Sequence, residues 1–235
     1  MNSNYYASDL SNAEGRWNLL YKLGGAASLL TFLYIPLQII TFMTVPEPTD
    51  AIGWFTLFQK SNLQGLLSYE FLFIVTSVTG IITTLALYVA LKRYNESIML
   101  IALSFSIIGT VCIIVARPAI DMLYLSNQYI AAASDAERVI YQTAGETLLA
   151  MRHGSAFHVC YNLANINLII IPLAMLRSKI FNKATAYMGI LAGLLGFGLY
   201  IPVIGVWVSV LSVVFMGIWD ILIAIRLFQL GKSVS

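Results

Sequence analysis

The chain predicts an all-α fold: a polytopic membrane bundle of six transmembrane helices, with short interfacial or amphipathic helices in the outer loops. Three observations carry that expectation. Hydrophobic residues make up 59% of the 235 positions and charged residues 10%, against about 25% charged in soluble domains. Six apolar stretches recur, each close to or above the roughly 20 residues that a helix needs to cross a hydrocarbon core. The links between them are too short or too apolar to bury a core of their own, so residues 1–235 are expected to form one transmembrane domain.

The N-terminal segment is polar, carries Asp9 and Glu14, and lacks the basic start and small-residue cleavage site of a secretory signal. The first span, 19–44, therefore reads as a retained anchor. Pro36 bends it, and Gln38 offers a partner to a freed backbone carbonyl. The link to the second span contains Pro46 and Pro48, then Ala51-Ile-Gly-Trp-Phe-Thr-Leu-Phe58. Its aromatic residues suit a short interfacial helix with Trp54 at the polar–apolar boundary.

Spans two and three, 69–91 and 98–119, are joined by the short turn Lys92–Ser97. The next segment holds Ser134-Asp-Ala-Glu137, the spacing of a capping box. Ile140, Ala144, Leu148 and Met151 follow at helical period, which predicts an amphipathic helix running into span four, 156–176. Spans five and six, 186–201 and 206–227, flank Pro202-Val-Ile-Gly205 and must form a tight hairpin. Span five carries Gly189, Gly193 and Gly196, small residues spaced to let two helix backbones approach. A second copy or a membrane-complex partner is one expected occupant of that face.

Charge sets the expected orientation. Both termini and the two short turns would share nine of the thirteen basic residues, while seven of the eleven acids fall on the other side. Both termini are thus expected in the cytoplasm. The basic residues are scattered, which argues against nucleic acid as a partner; membrane lipid is the expected surrounding. Cys112 and Cys160 both fall within apolar spans and read as buried free thiols.

Two segments carry a family resemblance. Ala86-Leu-Tyr-Val-Ala-Leu-Lys-Arg-Tyr-Asn-Glu96 leads from span two to span three. Pro172-Leu-Ala-Met-Leu-Arg-Ser-Lys-Ile-Phe181 with Tyr187-Met-Gly-Ile-Leu-Ala-Gly193 leads from span four into span five. Both resemble a bacterial family of small six-helix membrane proteins known only as a domain of unknown function. The resemblance extends from about Gly15 to Leu230. It implies six helices and a bacterial inner membrane, and it brings no activity or catalytic residue.

Ionisable residues in a span are costly and each asks for a reason. The topology places Glu70, Arg117, His153 and His158 near the outer ends of spans two to four. His158, Asn162 and Asn165 lie on one helical face, and two further polar lines run through Glu70, Ser77 and Thr84 and through Ser106, Thr110 and Arg117. Glu70 with Arg117 reads as an ion pair, or as an anion site on Arg117. Together Glu70, Arg117, His153, His158, Asn162 and Asn165 are the expected lining of an outward-facing polar pocket for a small molecule or lipid.

Asp220, alone in span six, is the second polar site expected, paired with Lys92, Arg93 or Arg177 or serving a proton or coupling ion. No cofactor and no metal are expected. The alternative metal set, His153, His158 and Glu70, suffers because residues five apart stand roughly 140° apart on a helix. A non-enzymatic binding module is the leading reading; an intramembrane metal-dependent hydrolase and an accessory subunit of a membrane complex are the alternatives.

Overall fold

The computed structural model describes residues 16–232; the expectation of a polar, signal-free leader falls mainly outside them. Among the described residues there is no strand. The helices are α1 (Asn18–Thr44), α2 (Ala51–Lys60), α3 (Asn62–Ser68), α4 (Phe71–Ala116), α5 (Ala119–Ala131), α6 (Asp135–Arg152), α7 (Ser155–Arg177), α8 (Lys183–Gly196) and α9 (Gly205–Leu230), with a 3-10 turn at Phe197–Tyr200 before α9. Among the described residues, four helical stretches are long and apolar enough to cross a membrane: Asn18–Thr44, Phe71–Ala131, Asp135–Arg177 and Gly205–Leu230.

The expected turn at Lys92–Ser97 is reduced to one residue. Asn95 has extended backbone, φ −163° and ψ 89°, inside the 46 residues of α4. Its side-chain oxygen accepts from the Ile98 amide at 3.1 Å, which is the geometry of an N-cap. α4 is therefore two helices, 71–94 and 96–116, meeting at a capped break. Other helix starts use the same chemistry. Asp50 accepts from Gly53, Ser61 from Gln64 and Asn182 from Thr185. Ser134 accepts from the Glu137 amide at 3.2 Å, while Glu137 reaches back to the Ala133 amide at 2.9 Å.

The described residues sort by contact into two compact units, one holding 16–33, Val78–Ile107 and 162–232, the other Tyr34–Ser77 and Ile108–Tyr161. The first unit packs Leu87, Leu91, Met99, Met175, Ile223 and Leu227 into one core. Small residues set its helix spacing. A Cβ on Gly24 would sit 2.6 Å from the Ala86 Cβ. On α8, Gly189 meets Pro172 and the Trp219 indole, Gly193 meets the Asn165 carbonyl, and Gly196 meets the Asn165 amide. The glycine face is thus covered by the chain's own α7 and α9.

The second unit is built on α2, α3, α5 and α6 around Trp54, Phe55, Phe58, Tyr69 and Met122. Trp54 does not sit at a lipid boundary, as an interfacial role would require. It is fully buried and meets Tyr69 edge-on with ring centroids 4.8 Å apart. α6 helps to enclose it: the Arg152 guanidinium at that helix's end lies over the Trp54 ring, and Gly145 lets the helix close on Ala51 and Phe55, where a Cβ would come within 2.9 Å of both. The packed face of α6 accordingly runs through Gly145 and Arg152, and Ile140 and Met151 are exposed. Cys160 and Ile113 form a small separate core with Cys112 against it, and both thiols are free.

Gly196→Ala tests the first unit's packing. Its methyl would overlap the buried Asn165 amide, and overpacking of that kind costs about 1–3 kcal/mol. A clearly lower unfolding temperature in detergent is expected; an unchanged one would contradict the close approach.

Candidate functional site

Four charged side chains meet in the second unit, each from a different place in the chain. Glu47 comes from the link between α1 and α2, Glu70 from the residue before α4, Arg117 from the end of α4, and Arg152 from the end of α6. Pro118 disfavours helix at the residue before it, so α4 stops at Arg117, whose backbone turns to φ −126° and ψ 62°. Glu70 takes left-handed backbone, φ 63° and ψ 33°, a conformation that costs a non-glycine residue about 1–2 kcal/mol.

The bonds form a chain of charges. Arg117 Nε donates to Glu70 Oε2, and Arg152 Nη2 donates to the same oxygen at 3.4 Å. Arg152 Nη1 donates to Glu47 Oε1. Arg117 Nη1 also donates to two main-chain carbonyls, Ala116 at 3.2 Å and Arg152 at 2.8 Å. It thereby closes the C-terminal end of α6, where orphan carbonyls favour a cation. The rings around the network are set face-on. Arg117 Cζ lies 4.9 Å from the Phe157 centroid, and Arg152 Cζ lies 5.3 Å from Trp54 and 5.1 Å from Tyr69.

Burial is uneven. The side chains of Arg117 and Arg152 are 6% and 5% exposed and that of Glu70 15%, whereas that of Glu47 is 48% exposed. Two buried donors beside the network lack an acceptor among the described residues: Arg152 Nε and the Tyr69 hydroxyl. Two guanidinium groups against two carboxylates make the network formally neutral.

Of the residues expected from sequence, Glu70 and Arg117 stand in this network. His153 caps the end of α6 and is exposed. His158 is exposed too, its ring edge against Phe157 at 5.4 Å. The ion-pair partners of Glu70 are the two arginines, not the histidines. Among the described residues, no three His, Cys, Asp or Glu side chains are grouped closely enough to hold an ion. Asn162 and Asn165 belong to the first unit. There Asn162 donates to the Tyr200 hydroxyl at 2.9 Å, and Asn165 is buried against Gly196 with its Nδ2 unpartnered among the described residues.

Arg152 and Glu47 are not among the residues that the sequence singles out. Their signals are weak: an arginine ending an amphipathic helix, and a glutamate between two prolines. The hydroxyl stripes serve helix contacts. Thr110 donates to the Ser77 carbonyl at 3.2 Å, and Thr84 donates to Ser106 at 3.3 Å and to its own helix.

Asp220 is buried in the first unit, and no lysine or arginine among the described residues pairs with it. The Ser28 hydroxyl lies 2.9 Å from its main-chain carbonyl and 3.3 Å from Oδ1, and Oδ2 has no partner among the described residues. The expected basic partners are absent because α1 closes too tightly on α9 here. A Cβ on Gly25 would come within 3.2 Å of the Ala224 carbonyl. Lys92 instead sets its ammonium over the rings of Trp17 and Tyr88.

Apolar helices of membrane-crossing length, with charges neutralised by the protein itself, define a multi-pass integral membrane protein. More narrowly, the chain belongs to the family described as Domain of unknown function (DUF4386), whose profile matches residues 19–231. No curated protein and no solved structure matches it.

Glu70→Gln is expected to leave Arg117 buried without its counter-charge. Stranding a buried charge costs about 3–5 kcal/mol, which a denaturation series in mild detergent would measure. A loss below about 1 kcal/mol would show that the pair carries no such burden.

Proposed function

We propose that the chain crosses a bacterial inner membrane six times, with both termini cytoplasmic, as a non-enzymatic module binding a small molecule or lipid at the arginine network. Helix lengths support six crossings. α4 as a straight rod would run about 70 Å at 1.5 Å per residue, more than twice a hydrocarbon core of about 30 Å. The break at Asn95 divides it into two segments of suitable length. α8 with its 3-10 extension spans about 29 Å. The crossings are then 18–44, 71–94, 96–116, 155–177, 183–200 and 205–230. The nine basic residues on the terminal side support the orientation, and the family resemblance supports the bacterial membrane.

One observation carries the binding reading: two buried donors beside a charged network, Arg152 Nε and the Tyr69 hydroxyl, lack acceptors among the described residues. A buried polar atom without a partner costs about 1–3 kcal/mol, and a ligand oxygen would supply what both need. The arginines lie against aromatic faces rather than in a metal-ligating set, which favours recognition over hydrolysis.

Orientation is tested with single cysteines placed in a chain freed of Cys112 and Cys160. A membrane-impermeant maleimide should label Ser134→Cys in intact cells and Ser97→Cys only after permeabilisation. Labelling of both from one side would overturn the six-crossing topology. Binding is tested by native mass spectrometry of the protein released from its own membrane. A non-covalent adduct is expected on the wild type and should diminish in Arg152→Lys, which keeps the charge but loses the planar fork. An adduct-free wild type would overturn the binding reading.

A further inference from the structure

We infer that Glu47 is a displaceable latch over Arg152, and that the group replacing it is an oxyanion: a phosphate or carboxylate oxygen, free or carried on a lipid headgroup. The inference rests on the binding reading above and names the chemistry of its ligand. It begins from the unequal holds on the two acids. Glu70 is largely buried, shares one oxygen between both arginines, and is fixed through its backbone: its amide donates to the Leu67 carbonyl and its carbonyl accepts from Phe73. Glu47 is half exposed and makes one ion pair among the described residues. It lies outside any helix, between Pro46 and Pro48, two residues without a main-chain N–H to anchor the link.

Charge governs the site once Glu47 swings out. Two guanidinium groups would then face one carboxylate, leaving one uncompensated positive charge at a buried site. Exclusion of water by Trp54 and Tyr69 strengthens the pull on any anion that enters. Geometry decides which anion. Guanidinium presents parallel N–H pairs that match two oxygens of a carboxylate or phosphate. Glu47 engages Nη1 alone, while Nε and the Tyr69 hydroxyl have no acceptor among the described residues. An untethered oxyanion can settle against whichever neighbouring pair of these N–H groups is open, an advantage that the tethered Glu47 carboxylate does not have. A neutral or cationic ligand would leave the arginine charge uncovered.

The test uses the full chain in neutral detergent and follows its unfolding temperature with sodium acetate, inorganic phosphate, or micelles carrying short-chain phosphatidylglycerol against phosphatidylcholine. Glu47→Gln keeps the shape of a half-exposed side chain and is expected to fold. At least one oxyanion should raise the unfolding temperature. Its half-maximal concentration should be about fivefold lower in Glu47→Gln than in the wild type, the scale set by loss of one partly exposed ion pair. Adding Arg152→Lys to Glu47→Gln should remove the gain. Phosphate or acetate acting alone identifies a free anion, and phosphatidylglycerol acting alone identifies a headgroup; either supports the inference. Equal half-maximal concentrations in the wild type and Glu47→Gln overturn the latch while leaving a binding site in place. No shift by any probe in either protein overturns the oxyanion assignment. The native adduct then decides separately whether the binding reading survives.

Discussion

A hydrocarbon surrounding offers no water to a charged group or an open backbone end, so the protein must answer each one itself. The second unit meets that constraint with a single arrangement. Arg117 neutralises Glu70, closes its own helix at Ala116, and donates to the last residue of α6. One side chain thus satisfies a charge, a helix end and an interhelical contact together. Arginine suits this task because its guanidinium is planar, carries five donors and lies flat on aromatic rings; a lysine ammonium in the same place would reach fewer acceptors. The aromatic core beside it depends on the same geometry, since Trp54 and Tyr69 wall the face of Arg152.

Stability alone does not account for four charges here. A buried ion-pair network seldom repays its desolvation, and apolar side chains of similar volume often hold a fold better. α6 already has an apolar anchor, because Gly145 brings it against Ala51 and Phe55, and Glu146 accepts from the Ala51 amide at 2.9 Å. Packing alone would not call for these four charges, and that is the ground on which the binding proposal stands. Left-handed backbone at Glu70 points the same way, since strain of this kind collects where side-chain placement matters more than local comfort.

The range over which each signal acts decides how much of the structure is legible in the sequence. Apolar stretches and caps are local, so the helices and their starts can be read, including the Ser134–Glu137 capping box. Asn95 sits inside an expected turn, yet the turn's shrinkage to one residue depends on its side chain capping Ile98, a detail that hydropathy does not report. Glu70 with Arg117 can be paired because both lie at the ends of neighbouring spans. Arg152 and Glu47 cannot, because their approach depends on the exit angle of α6 and on a proline-flanked link. The histidines mislead for a related reason. His153 and His158 lie at the right depth, but the break at 153–154 and the register of α7 leave them exposed. Residue type assigns Trp54 to an interface, whereas the fold packs it against Phe58, Tyr69 and the Arg152 guanidinium.

The first unit handles polarity by a different rule. Its hydroxyls and amides bind helix to helix in pairs: Thr83 to the Gly24 carbonyl at 3.0 Å, Asn167 to the Ala102 carbonyl at 3.0 Å, Asn162 to Tyr200. Such bonds are worth only about 0.6 kcal/mol each in membranes, so the close glycine contacts of α8 carry more of the packing. Asp220 is the exception to pairing, an acid whose one side-chain partner among the described residues is a serine hydroxyl. The seats that a lysine or arginine would need are filled by the approach of Gly25 to Ala224, and Arg226, further along α9, is committed to the Ile180 carbonyl at 2.5 Å. The first unit keeps close packing around an acid with no basic partner among the described residues, whereas the second combines a buried aromatic core with matched charges.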